Sequence, residues 1–283
     1  MGSRTIVRRH IVPGIGHKRL QGLSGGHLSA FYRSLEDRLA PSTRRLVHAV
    51  LCKALNDAVK QDLITRNPAD KVEPPRAGRS RAHAWTASEL GRFLEQVRGD
   101  RLYALWRLAA TTGMRRGELA GLVWRCTDLA ATRVSVEQQL VPTPGGATFG
   151  PPKSERSRRT IALDSETADT LRAHQDAQLL ERDFAGGAYQ DRDLVFADQL
   201  GAPIRPNRLT NLFAAHRKAA GIPTGTLHTL RHTAATLMLT NGIPIHVAAA
   251  RLGDAPKTVL ATYAHLLPQS DEVAAERVAS LID

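Results

Sequence analysis

Apolar residues recur at helical spacing along most of the chain. Between His27 and Leu39, the side chains of Leu28, Phe31, Tyr32, Leu35 and Leu39 fall on one side of a helix. Pro41-Ser-Thr43 then reads as the cap of a second helix. From Arg44 to Lys60, residues Leu46, Val47, Val50, Leu51, Ala54, Leu55 and Ala58 form a long stripe, and Asn67-Pro68 ends it. These two segments predict a small helical domain. The stretch before them, Met1 to Gly26, is rich in Gly, Arg and His and reads as loop with at most one short helix. Pro74-Pro-Arg76-Ala-Gly-Arg79-Ser-Arg81 has the composition of an inter-domain linker. We therefore expect a helical domain over 1–78, a basic linker over 79–85 and a second domain over 86–283.

The second domain opens on Thr86-Ala-Ser-Glu89, a capping box ahead of an apolar run. Its pattern predicts helices over 87–98, 101–112, 115–123, 165–184, 206–220, 229–241, 244–251 and 256–266. Arg133–Val141, with Val134 and Val136 alternating, reads as a strand, Pro142-Thr-Pro-Gly-Gly146 as a turn, and Thr160–Leu163 as a short strand. The tail over 271–282 puts Val273, Val278 and Leu281 in a weak helical stripe. The expected fold class is mainly α, with an α+β second domain that carries a small β-sheet.

Charge sharpens this division. The 283 residues carry a net charge of +12, unevenly spread. Residues 1–85 hold sixteen Lys and Arg against six Asp and Glu, whereas 86–283 hold twenty-three against twenty-one. Such asymmetry points to a first domain that meets a polyanion. Cys52 and Cys126 form no metal-spaced pair; both fall in helix-like patterns and read as buried thiols in a reducing cytoplasm. No apolar run reaches the eighteen residues of a membrane span, and the N-terminus has no apolar signal core.

Four local words carry chemistry: Thr112-Gly-Met-Arg115-Arg-Gly-Glu118, Pro151-Pro-Lys153-Ser-Glu-Arg156-Ser-Arg158-Arg159, Leu227-His228-Thr-Leu-Arg231-His232, and Thr262-Tyr263-Ala-His-Leu266. Together they supply what metal-free attack on a phosphodiester requires. Two guanidinium forks match the non-bridging phosphate oxygens and stay charged at any working pH. A phenol can be the nucleophile once a base or nearby cations assist it. A lysine with a depressed pKa can protonate the leaving oxygen. Each part has a plainer reading: Arg115 an exposed helix start, Lys153 a phosphate contact, His232 a satisfied core histidine, Tyr263 a packed aromatic. His228 and His232 lie four apart on a helix, but Thr229 stands where a zinc-protease helix needs Glu, and no third ligand is evident. No metal or other cofactor is expected. A metal-dependent nuclease needs an acidic cluster, and the sequence shows none at suitable spacing.

In order and wording these segments resemble the tyrosine recombinases, the phage-type integrases of mobile elements, from about residue 8 to about residue 268. The resemblance implies a core-site DNA-binding domain followed by a catalytic domain. It implies Arg115 (with Arg116 as competitor) and Arg231 on the scissile phosphate, His228 beside them, Lys153 as acid, Glu118 as support and Tyr263 forming a 3′-phosphotyrosyl link. Arg44, Arg45, Arg76, Arg79, Arg81, Arg156, Arg158 and Arg159 are the expected DNA contacts. The family has histidine or tryptophan nine residues before the tyrosine, and Asp254 stands there instead. Asp254 either caps the helix that starts near Ala255-Pro256, in a supporting role, or orients Arg115, Arg231 or His228. The family's arm-site domain and one core-domain helix have no counterpart here, which implies a truncated start. Double-stranded DNA is the implied partner, bound by a homo-tetramer that exchanges C-terminal tails, with accessory DNA-bending or directionality factors. Two other outcomes share these parts: a catalytically impaired DNA-binding remnant, and a type IB topoisomerase-like strand transferase.

Overall fold

A computed structural model describes residues 3–75, 83–143, 145–264 and 278–280. The chain divides into two compact units, Met1–Arg81 and Ala82–Asp283. Among the described residues no helix is long and apolar enough to cross a membrane.

The first unit is helical from Ser3, where the sequence suggested loop with at most one short helix. Helices α1 (Ser3–Ile6) and α2 (Val12–Ile15) flank a π-helical turn, Val7–Ile11. Ile6, Ile11 and Ile15 all pack into the unit's core. The five-residue step from Ile6 to Ile11 is one longer than an i,i+4 pair on one α-helix face, and the wide turn over Val7–Ile11 absorbs the extra residue. Helix α3 (Gly25–Ser34) is capped by Ser24 and buries Leu28, Phe31 and Tyr32. Helix α4 (Pro41–Lys60) begins with Pro41 in its first turn and has no side-chain cap, so the Ser-Thr pair lies inside the helix. It buries Val47, Leu51, Leu55 and Ala58. Asn67 does not end α4; its side chain accepts the Ala69 N–H and caps a separate short turn, Pro68–Lys71. Cys52 and Cys126 are half-buried rather than buried.

The second unit starts with α5 (Ala87–Gln96), whose Thr86–Glu89 capping box forms as the sequence suggests. Helix α6 (Tyr103–Thr112) stops at Gly113, and α7 (Arg116–Ala120) follows. Five strands come next: β1 (Thr127–Asp128), β2 (Arg133–Val136), β3 (Gln139–Thr143), β4 (Gly146–Gly150) and β5 (Arg159–Ala162). The single strand expected over Arg133–Val141 is thus two strands in two sheets. The antiparallel order β1-β2-β5 makes one sheet, with Val134 opposite Ile161, and the β3–β4 hairpin makes the other. Strand β4 occupies part of the expected turn. Gly-Ala-Thr-Phe-Gly has no clear alternation, and its extended form rests on the ladder with β3.

Helices α8 (Ser165–Ala185), α9 (Pro206–Ala219), α10 (Leu227–Thr240), α11 (Ile245–Leu252) and α12 (Pro256–Tyr263) complete the unit. Its main core gathers Trp85, Phe93, Trp106 and Phe213, with Trp85 and Phe213 stacked at 5.5 Å. A smaller core of Ala235, Leu239, Ala248, Ala249, Leu252, Val259 and Tyr263 ties α10, α11 and α12 together. This second core sets the position of the site. In the tail, Val273 and Leu281 lie outside the described residues, and Val278 is exposed.

Candidate active site

The site is built on two left-handed glycines. Gly113 ends α6 at φ +66°, and a Cβ there would meet Leu252 Cδ2 at 2.6 Å. This tight turn presents Arg115 at the start of α7. Gly253 ends α11 at φ +69°, where a Cβ would press on the Arg159 guanidinium. Both turns leave carbonyls free to accept, since the last carbonyls of a helix have no partner within it. Arg115 donates to the Gly253 carbonyl at 3.0 Å, and Arg231 donates to the carbonyls of Gly113 at 2.7 Å and Leu252 at 2.8 Å.

Asp254 joins the two arginines. Its Oδ1 accepts from Arg115 Nη2 and its Oδ2 from Arg231 Nη2, each at 2.5 Å. The cap expected of Asp254 is not formed: the N-cap of α12 is Ala255, with no side-chain bond. The carboxylate is drawn instead to two cations, and that orienting role was the other reading of the sequence. Arg231 is 4% exposed; burial lowers its pKa, while Asp254 opposes that shift. Arg116, the competitor for the phosphate role, turns away and donates to Thr210 Oγ1 at 2.6 Å.

Glu118 lies beneath the pair and is 2% exposed. It accepts from Arg115 Nη1 at 2.7 Å, from the Arg115 backbone N–H at 2.9 Å and from Arg159 Nη2 at 2.9 Å. Burial pushes its carboxyl up, but Arg159 and Arg115 outweigh burial and hold it below the usual carboxylate range. Arg159 therefore needs correction as an expected DNA contact. Its side chain is 6% exposed, and it also donates to the carbonyls of Arg251 and Ser157. It is the counter-ion of a buried carboxylate, because an unpaired charge at Glu118 would be costly.

The remaining predicted contacts divide by exposure. Arg45, Arg156 and Arg158 are exposed. Arg44 is half-buried and paired with Glu36 at 3.1 Å. Arg76, Arg79 and Arg81 lie outside the described residues. Lys153 is exposed on the loop after β4 and makes no ion pair among the described residues. The structure does not bring its side chain against the arginines.

The nucleophile candidate lies at the end of α12. Tyr263 is 5% exposed in the α10–α12 core. Its Oη lies 2.5 Å from His232 Nδ1. His228, one turn earlier on α10, sets its ring edge-on to His232 with centroids 4.6 Å apart. Burial pushes the Tyr263 phenol up to about 12, with Arg231 pulling it back and Asp254 adding to the rise. Burial, His228 and Arg231 push His232 down to about 4, so it is neutral at pH 7. Burial and the two arginines also lower His228. The sequence offered His232 as a satisfied core histidine, and what satisfies it is Tyr263, a pairing that the local sequence gave no signal for. Among the described residues no group of three His, Cys, Asp or Glu is placed to hold a metal ion.

The geometry is thus two arginines, a bridging carboxylate and a buried tyrosine. The model of the phage integrase family matches residues 85–270. An integrase of Saccharopolyspora erythraea is 25% identical over 332 residues, covering 98% of this chain and 76% of that protein. A XerC-like tyrosine recombinase of Caldanaerobacter subterraneus subsp. tengcongensis is 28% identical over 235 residues, covering 78% of this chain and 59% of that protein. The solved Tn1549 transposon integrase, in complex with a circular intermediate DNA, matches the fold with a TM-score of 0.79 at 18% identity, covering 99% of this chain and 92% of that one. A lambda integrase dimer bound to a core site matches with a TM-score of 0.62 at 18% identity, covering 97% and 69%.

Proposed function

The chain belongs to the phage integrase family, and from that premise we propose how its own residues divide the work of that family. It is a tyrosine-type site-specific recombinase, and such enzymes cut and rejoin DNA strands through a 3′-phosphotyrosine. In our reading Tyr263 Oη attacks the scissile phosphorus while Arg115 and Arg231 hold the non-bridging oxygens. Lys153 protonates the leaving 5′ oxygen, with His228 donating beside Arg231. The hydroxyl of a partner strand then reverses the step. The bond energy is kept in the tyrosyl ester, so neither ATP nor a metal takes part. The observation that carries this reading is that Asp254, in the turn between α11 and α12, holds Arg115 and Arg231 together, while Arg231 lies on α10, which with α11 and α12 buries Tyr263.

Double-stranded DNA is the substrate in this proposal, and the cytoplasm is where it is met. The DNA substrate is supported by a structurally similar protein, a lambda integrase tetramer bound to a Holliday junction. A homo-tetramer with exchanged tails and accessory factors remains part of the proposal; the tail lies largely outside the described residues. The domain limits expected above are kept on the same footing, with 1–78 binding the core site.

One observation favours a second reading, that of a catalytically impaired DNA-binding member. Arg115 and Arg231 already give both Nη1 hydrogens, and at least one Nη2 hydrogen each, to protein oxygens. A phosphate must displace Asp254 or the Gly253 carbonyl to gain a full fork from Arg115, whose Nε–H alone is left, whereas Arg231 keeps its Nε–H and one Nη2 hydrogen. A nicked duplex spanning the DNA next to the gene, incubated with the protein in excess EDTA, decides between the readings. We expect a covalent protein–DNA band that Tyr263→Phe abolishes while binding persists. Absence of that band from the wild-type protein on a duplex it binds would establish the impaired reading, and an unchanged band in Tyr263→Phe would remove Tyr263 as nucleophile.

A further inference from the structure

We infer that His232 is the general base for the nucleophile: its Nδ1 takes the phenolic proton as Tyr263 Oη attacks phosphorus. This rests on the reading of Tyr263 given above and adds a catalytic residue to it. The Tyr263 Oη stands 2.5 Å from His232 Nδ1, within the reach a base needs. No other hydrogen bond of either group is found among the described residues. A neutral imidazole has one donor and one acceptor nitrogen, and the phenol must donate to something once buried. The phenolic O–H therefore donates to Nδ1, and the ring proton sits on Nε2.

The surroundings explain why the pair rests until DNA arrives. Groups that act on His232 come from two helices and two connecting segments: His228 and Arg231 on α10, Tyr263 on α12, Asp254 before α12, and His83 ahead of α5. Burial, His228 and Arg231 all disfavour the imidazolium, and burial disfavours the phenolate. Without DNA the proton stays on Tyr263. A bound phosphodiester brings a negative charge to Arg231 and cancels part of the field that holds His232 down. The base strengthens where and when the substrate is present.

The step balances. The Oη–P bond forms as the P–O5′ bond breaks; the phenolic proton passes to Nδ1, and the leaving oxygen takes a proton from the acid of the proposed mechanism. In the rejoining step the imidazolium returns its proton to Oη as the tyrosine leaves.

The test uses the full chain and a probe that needs no target site, thymidine 3′-(4-nitrophenyl phosphate). Its 4-nitrophenolate leaves without protonation, so only nucleophile activation is read. Adduct on Tyr263 is followed by intact mass and release of 4-nitrophenolate by absorbance. We expect His232→Ala to slow adduct formation by about a hundredfold or more at pH 7. Its rate should rise tenfold per pH unit, while the wild-type rate stays level, and added imidazole should restore it. His232→Gln, which keeps a polar side chain of similar size, should be slow in the same way. A His232→Ala rate within about threefold of wild type, or a slow rate that neither imidazole nor hydroxide restores, overturns the inference and makes His232 a packing residue. Labelling that survives Tyr263→Phe would overturn the nucleophile assignment instead, which keeps the two failures apart.

Discussion

Glu118→Gln tests the support beneath the phosphate forks. The substitution keeps size and shape but replaces one carboxylate oxygen with an NH2 group. Both oxygens are in use: Oε1 accepts from Arg115 Nη1, and Oε2 from the Arg115 N–H and Arg159 Nη2. One oxygen must therefore become a donor facing donors, and Arg159 keeps a buried charge without its counter-ion. Breaking a buried pair by removing one partner costs about 3–5 kcal/mol. With a urea dependence of about 2–3 kcal/mol per M, the unfolding midpoint should fall by about 1–2 M. All three tryptophans, Trp85, Trp106 and Trp124, lie in the second unit, so their fluorescence reports its unfolding alone. The sign with pH follows from the pKa. Glu118 is held below its ordinary 4.5 in the folded state, so its contribution is full at pH 7 and is lost as pH falls through the folded value. The penalty should shrink as pH falls toward 4, where the unfolded carboxyl is already mostly protonated. A midpoint shift below about 0.3 M at pH 7, or a penalty that grows toward pH 4, would refute the reasoning.

Arg115→Ala and Arg231→Ala should each lower single-turnover cleavage at least about a hundredfold, the usual cost of one lost donor to a transition-state oxyanion; near wild-type cleavage removes that arginine from the site. Gly113→Ala should destabilise the second unit by about 1–3 kcal/mol and reduce cleavage, because its left-handed φ and the close Leu252 side chain both resist a Cβ; an unchanged melting temperature would contradict this. DNA affinity should fall steeply with salt, and a fragment of 86–283 should bind more weakly and with a shallower slope, since most of the net charge lies before it. Equal affinity and slope in titrations of the two proteins would place the contacts elsewhere.

The stripe Leu28, Phe31, Tyr32 and Leu35 and the Thr86–Glu89 box were legible because helical periodicity and capping act over three or four residues. The words around Arg115, Arg231 and Tyr263 were legible through their resemblance to a known family, and it was that resemblance that named the family. The π-turn at Val7–Ile11 and strand β4 were not legible, because a buried core and a partner strand hold them against weak local preference. Three features of the site belong to tertiary structure alone. Arg115 and Arg231 meet at Asp254, 139 and 23 residues away; Arg159 turns inward to Glu118, 41 residues away; and His232 meets Tyr263, 31 residues away. In sequence an arginine beside others reads as surface charge and a histidine beside an arginine as one more polar residue. Only packing decides which charge is buried, and burial is what makes a counter-ion or a hydrogen-bond partner obligatory.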